Sequence, residues 1–90
     1  MKQQQIQERI HALIEQYYDA SQKPFVPGRD VVQYAGAVYD EHELNAMVDV
    51  MLRGWFGLGA QGEALEAELA GYFCANKVYL TNSGSSADLL

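Results

Sequence analysis

The sequence predicts an α/β fold, and three observations carry that prediction. Two amphipathic stretches with a 3.6-residue period occupy residues 4–20 and 40–53. A short β-type run, Val78-Tyr79-Leu80-Thr81, stands near the end of the chain. A turn and the opening of another helix follow that run directly. The chain has 90 residues, 49% hydrophobic and 11% aromatic, which is too apolar for a disordered polypeptide. One domain at most fits this length. A free-standing domain of this size buries only about 60–65% of its unfolded surface.

The first helix is expected over residues 4–20. Ile6, Ile10, Leu13, Ile14 and Tyr17 fall on one face, with Gln, Glu and Arg opposite. Residues 21–39 break the pattern with Ser21, Pro24, Pro27 and Gly28, and read as an extended arm lying across another surface. A second helix opens at Asp40, a good N-cap, and Glu43 three residues on completes an acidic capping box. Leu44, Met47, Val48, Met51, Leu52 and Trp55 form its apolar stripe, and it should end near Gly54. The glycines at 54, 57, 59 and 62 follow a helix rather than a strand, so they read as a turned loop and not as a phosphate cradle. A third helix is expected from Glu63 to Phe73. Leu65, Leu69, Tyr72 and Phe73 would share a face, with Glu63, Glu66 and Glu68 outward.

The run at 78–81 then reads as a strand, Asn82-Ser83-Gly84 as a turn, and Ser85 or Ser86 as the N-cap of a helix on Ala87-Asp88-Leu89-Leu90. A strand running through a Gly-Ser turn into a helix suits an anion. The first helical N–H groups lack partners, the helix dipole favours negative charge, and the hydroxyls add donors. Gly84, Ser85 and Ser86 are therefore the candidate phosphate ligands, against the simpler reading of an N-cap. The turn is neither a Walker loop nor a dinucleotide fingerprint.

Other chemistry is thinly represented. The net charge of −6 argues against a phosphate-neutralising nucleic-acid binder. One cysteine excludes an internal disulfide, and His11, His42 and Cys74 have no zinc-ligand spacing, so no metal site is expected. No apolar run reaches a membrane span and no secretory leader is visible, which makes a cytoplasmic protein the expectation. His11 and His42 read as surface residues, Cys74 as a half-buried structural thiol, and Lys77 as a solvated charge. Trp55 reads as core. No residue of the chain is a convincing catalytic group.

The order of these elements resembles a known family. The helix carrying Glu43-Leu44 and ending in Trp55, the Gly-rich loop, and the Glu66-x-x-Leu69 helix ending Gly71-Tyr72-Phe73 come first. Lys77-Val78-Tyr79-Leu80-Thr81-Asn82-Ser83-Gly84-Ser85-Ser86-Ala87-x-Leu89-Leu90 follows. Together they look like the N-terminal part of the sugar aminotransferase/dehydratase family (the DegT/DnrJ/EryC/StrS group). The leader with Lys23-Pro24-Phe25-Val26-Pro27-Gly28, Val31-Val32 and Ala35-Gly36-x-Val38 is most similar to the 3-dehydrases of CDP-4-keto-6-deoxyglucose, which serve dideoxysugar and O-antigen synthesis. Residues 57–62 depart from the threonine-rich segment usual there, and Asp88 stands where asparagine is common.

The resemblance implies a fragment of the type I fold of pyridoxal-phosphate-dependent transferases. Residues 1–39 would be an N-terminal helix and extended arm, and residues 40–90 the start of the aminotransferase-like domain. It implies pyridoxal 5'-phosphate or pyridoxamine 5'-phosphate as electron sink, with the cofactor phosphate against Gly84, Ser85 and Ser86. It also implies a nucleotide-sugar substrate and a homodimer. In the closest members the pyridoxamine form condenses with the sugar 4-keto group, a C4' proton is removed and the C3 hydroxyl leaves. A 2Fe–2S cluster and a separate reductase then deliver electrons. The base, the acid facing the pyridinium nitrogen and the cluster cysteines are expected beyond residue 90, so this segment alone should be inactive. A sugar aminotransferase is the alternative, distinguished by lysine rather than histidine at the Schiff-base position. A third reading is an acidic helical module that binds a partner protein through the Leu44–Trp55 face.

Overall fold

A computed structural model describes residues 2–90, and these contain four helices: α1 (Gln3–Ser21), α2 (Glu41–Leu52), α3 (Ala60–Tyr72) and α4 (Gly84–Leu89). They fall into two compact units, residues 1–53 and 54–90. Among the described residues no helix is long and apolar enough to cross a membrane.

In the first unit α1 and α2 run antiparallel. Gln7 and His11, early in α1, both reach Asp49, late in α2. Tyr18, late in α1, donates its hydroxyl to the carbonyl of Tyr39 at 2.9 Å, and the two rings meet edge to face. The start of α2 is as expected. Asp40 accepts from the His42 amide at 2.8 Å, and Glu43 accepts from the Asp40 amide at 2.7 Å, closing the capping box. The helix ends at Leu52, with Gly54 in the left-handed region at φ +74°. Trp55 therefore lies outside α2, not on its stripe. Its indole N–H donates to the Leu58 carbonyl at 3.0 Å, and the ring is mostly exposed.

The helix faces that meet are not the faces of the apolar stripes. The half-buried positions of α1 are Gln7, Ile10, His11, Ile14 and Tyr18, and those of α2 begin Glu41, Leu44, Asn45, Val48 and Asp49. Each set has helical spacing. Each shares two residues with its stripe and is rotated away from the rest. Ile6, Leu13, Tyr17, Met47, Met51 and Leu52 stay exposed. The rotation follows from the bond at its centre, where one Asp49 oxygen accepts from Gln7 Nε2 at 2.7 Å and His11 Nε2 at 2.6 Å. His11 is thus half-buried and bonded, contrary to the expected solvated residue.

Residues 22–39 form no helix or strand and are largely exposed, with one turn at Pro27-Gly28 in which Asp30 accepts from the Val26 amide at 2.8 Å.

In the second unit α3 starts at Ala60, earlier than Glu63, so Gly62 lies inside the helix rather than in the loop. Its half-buried face is Gly62, Glu66, Leu69 and Ala70. Glu66 turns inward, whereas an outward side chain was expected. A Cβ at Gly62 would collide with Leu58 and sit 3.7 Å from Leu80, so glycine there lets the chain fold closely over α3. The expected strand at 78–81 does not form a ladder among the described residues, because no second extended segment pairs with it. The side chains still alternate. Val78 and Leu80 are half-buried, and Tyr79 and Thr81 are exposed.

The C-terminus of α3 explains Cys74. The Cys74 amide donates to the Gly71 carbonyl at 3.3 Å and the Ala75 amide to the Ala70 carbonyl at 2.9 Å. This is a Schellman closure, and it puts Cys74 in the left-handed region at φ +51°, where glycine is usual. The thiol is exposed, not half-buried. A non-glycine residue there is strained, so Cys74→Gly should raise stability by about 0.5–1 kcal/mol after allowing for the greater freedom of glycine in the unfolded chain. Urea unfolding followed by circular dichroism measures it, and a loss of stability would contradict the strain.

The α1–α2 junction carries a pH signature. Hydrogen bonds from Gln7 and then from His11 hold the Asp49 carboxyl below its ordinary range. A lowered folded-state pKa stabilises the pair above the unfolded value of about 4, and that contribution is lost as pH falls through the lower folded value. Melting temperature should therefore drop on acidification below about pH 4, and Asp49→Asn should flatten the drop. An acid limb unchanged in that variant would remove Asp49 from the junction.

Candidate phosphate-binding turn

The turn between residue 81 and α4 is built from short polar contacts. Thr81 Oγ1 donates to the Ser83 carbonyl at 2.9 Å. Ser83 has an extended backbone, and its hydroxyl oxygen accepts from the Ser86 amide at 3.0 Å. Ser83 is therefore the N-cap, in place of the expected Ser85 or Ser86, because its side chain reaches the amide three residues on. The Ser83 hydroxyl donates to Ser86 Oγ at 3.0 Å, and the Ser86 hydroxyl donates to Asn82 Oδ1 at 2.5 Å.

The cap moves the candidate residues into the helix. Gly84, Ser85 and Ser86 are the first three residues of α4. The Ser86 amide and hydroxyl are engaged within the turn, so Ser86 braces it. The amides of Gly84 and Ser85 precede the first intrahelical donor, the Ala87 amide, and both residues are exposed. No atom lies within 4 Å of a Cβ built on Gly84. Two amides and the Ser85 hydroxyl are thus free to donate outward beside the positive end of a helix dipole, a donor set of the right kind for a phosphate.

The remaining candidates are elsewhere. His42 is exposed, with Nδ1 3.0 Å from Asp40 and 3.7 Å from Glu41. The Asp40 hydrogen bond and charge, with help from Glu41, hold its pKa above the ordinary value. Lys77 places its ammonium 5.3 Å from the centroid of the Tyr79 ring rather than standing wholly in solvent. Glu66 is the residue that sequence reasoning overlooked. It accepts from the Leu80 amide at 3.0 Å, three residues before the N-cap. Its signal was spacing, since residues 62, 66, 69 and 70 share one helical face.

Comparison with known proteins places the chain. It is 40% identical over 87 residues to the lipopolysaccharide biosynthesis protein RfbH of Salmonella typhimurium, covering 94% of this chain and 20% of that protein. It is 37% identical over 84 residues to the dTDP-4-dehydro-2,6-dideoxy-D-glucose 3-dehydratase of Saccharopolyspora spinosa, covering 92% of this chain and 18% of that enzyme. The resemblance read from the residues is borne out. The chain spans about a fifth of the length of these relatives. No family model matches it, and no solved structure matches it significantly.

The cap assignment is open to test. Ser83→Ala should cost about 1 kcal/mol of local helix stability and fray α4, whereas Ser83→Asp should preserve it. Amide exchange at Ser86 and Ala87 reports the difference, and equal protection in both variants would place the cap elsewhere.

Proposed function

We propose that this chain is the opening segment of a pyridoxal-phosphate-dependent nucleotide-sugar 3-dehydratase of dideoxysugar and O-antigen biosynthesis. The observation that carries the reading is similarity over nearly the whole chain to a relative named as a sugar 3-dehydratase. The donor set at Gly84 and Ser85 supports it independently.

In this reading the segment belongs to an α/β fold of the type I class. Residues 1–39 form a leader, residues 40–90 open the cofactor-binding domain, and residues 78–81 supply the first strand of its sheet. The amides of Gly84 and Ser85 and the Ser85 hydroxyl donate to the cofactor phosphate. Ser83, Ser86 and Asn82 hold those donors in place. The bound pyridoxal or pyridoxamine phosphate supplies an electron sink for carbon–oxygen cleavage on a 4-keto sugar. The full reading adds a homodimer, a nucleotide-sugar substrate, a 2Fe–2S cluster fed by a separate reductase, and a cytoplasmic location. The proton-transferring base and the cluster ligands would lie outside these residues, and the segment alone would be inactive. A self-contained interaction module needs a core of its own, and among the described residues no side chain is buried.

In the full-length protein, Ser85→Ala with Ser86→Ala should weaken retention of pyridoxal phosphate roughly tenfold, the scale set by losing the one hydroxyl hydrogen bond of Ser85 to a charged group, with the Ser86 brace loosened as well. Affinity for pyridoxal lacking the phosphate should not change. Bound-cofactor absorbance after dialysis measures both, and unchanged retention of the phosphorylated form would sink the assignment.

A further inference from the structure

The extended segment 78–81 is fastened to α3 at Leu80 by two contacts. Leu80 is half-buried, and a Cβ at Gly62 would sit 3.7 Å from its side chain, so Leu80 lies over the α3 backbone at Gly62. One helical turn on, Glu66 Oε2 accepts from the Leu80 amide at 3.0 Å in a part-buried contact. Beyond Leu80 the pattern changes. Among the described residues, the hydrogen bonds of 81–90 join them only to one another. The turn and α4 are therefore one braced block, and the Glu66 bond is the directional tie between that block and α3. Direction matters because successive amides of an extended segment point to opposite edges. A slip of one residue would carry the block about 3.3 Å and turn an edge without a donor toward the carboxylate. A leucine at 66 would tolerate such a slip, since apolar contact is not directional. Donors to an anion do not tolerate it, because a hydrogen bond is confined to roughly 2.7–3.2 Å.

We infer that Glu66 is a positioning residue for the cofactor phosphate: through Leu80 it sets where the Gly84 and Ser85 donors stand. It touches no ligand, and its role rests on the reading of Gly84 and Ser85 as phosphate donors. A binding constellation has to be held within about 0.5 Å of its productive geometry by the groups behind it. Ser83, Ser86 and Asn82 hold the donors relative to one another. Those bonds do not fix the block against α3, and Glu66 does. The coupling runs both ways. By linkage, a phosphate that gains from the Glu66 bond strengthens that bond by the same factor. Pyridoxal, which lacks the phosphate, has nothing to gain from the placement of these donors.

Equilibrium titration of the full-length apoprotein with pyridoxal 5'-phosphate and with pyridoxal tests the assignment. Glu66→Ala should weaken binding of the phosphorylated form roughly tenfold, the scale of one misplaced charge-assisted hydrogen bond, and leave pyridoxal unchanged. Glu66→Gln keeps an acceptor oxygen and should recover most of the loss. A role in stability alone would weaken both forms alike, so parallel losses would overturn the inference. Unchanged affinity for the phosphorylated form in Glu66→Ala would overturn it too. A wild-type measurement decides where Glu66→Ala fails to fold. The Leu80 amide should exchange with deuterium roughly tenfold more slowly with pyridoxal 5'-phosphate bound than with pyridoxal bound, and equal rates would count against Glu66. The variant carrying Ser85→Ala and Ser86→Ala separates this inference from the reading beneath it. If that variant retains the phosphorylated cofactor fully, the donor assignment fails and this inference with it. If it loses the cofactor while Glu66→Ala does not, this inference alone fails.

Discussion

Every ordered feature of this chain has to exist without a buried core. Among the described residues no side chain is buried, and the accessible surface is 8196 Å². A compact monomer of this length would expose about 5,200 Å², and even two separate globules of the sizes of its units about 6,300 Å². Hydrophobic burial is the dominant favourable force in most folds. Here it is only partly realised, so the elements lean on local devices. These are the capping box at Asp40, the serine cap at Ser83, the Schellman closure at Cys74 and a few side-chain bonds between elements. Large apolar side chains such as Leu13, Tyr17, Met47 and Met51 stay exposed, and contiguous surface of that kind marks contact sites.

Two inward carboxylates tie helices to their neighbours, beside the Tyr18–Tyr39 contact. Asp49 ties α2 to α1, and Glu66 ties α3 to the extended segment. Both sit on helix faces where a purely apolar design would place a leucine. A carboxylate at such a place is satisfied only by specific donors, so it fixes register more sharply than an apolar contact of equal size. The same dependence makes these junctions local in stability. The two junctions lie in different units and share no residue, so each can open without the other.

Helix number and both ends of α2 were legible because they are written in local chemistry, whereas α3 begins three residues before the expected Glu63 and α4 is capped by Ser83 in place of Ser85 or Ser86. The Asp40–Glu43 pair and the glycine at 54 act over three or four residues, and such signals survive any context. The faces were less legible. An apolar stripe marks residues suited to leaving water, whereas the α1–α2 contact is centred on Asp49. Ile10, Ile14, Leu44 and Val48 belong to both sets, and Met47, Met51 and Leu52 belong to the stripe alone. Glu66 and His11 were misplaced for the same reason, since hydropathy assigns a polar side chain to solvent unless its donor or acceptor is known. The expected strand at 78–81 is a nonlocal object. Its alternation is visible in the sequence, but among the described residues no second extended segment pairs with it. Cys74 shows the converse, a residue whose position is set by backbone closure and not by its side chain.

The candidate turn inherits its position from these constraints in a short chain of contacts. Glu66 fixes the Leu80 amide. The next residue, Thr81, bonds the Ser83 carbonyl, which also accepts from Ala87 in the first turn of α4. Ser83 then holds the Ser86 amide, and Ser86 holds Asn82. The serines thereby divide the work. Ser83 and Ser86 are consumed in bonding the helix start, and Ser85 is exposed beside them. Rigid amides present their dipoles to an anion without reorganising, and that lowers the ordering cost of binding. A six-residue helix carried on a loose loop could not do this, because its end would move with the loop. Tied through Leu80 to the face of α3, its N-terminus has a fixed reference within the second unit, and the direction of its free donors follows from an acid in the middle of another helix.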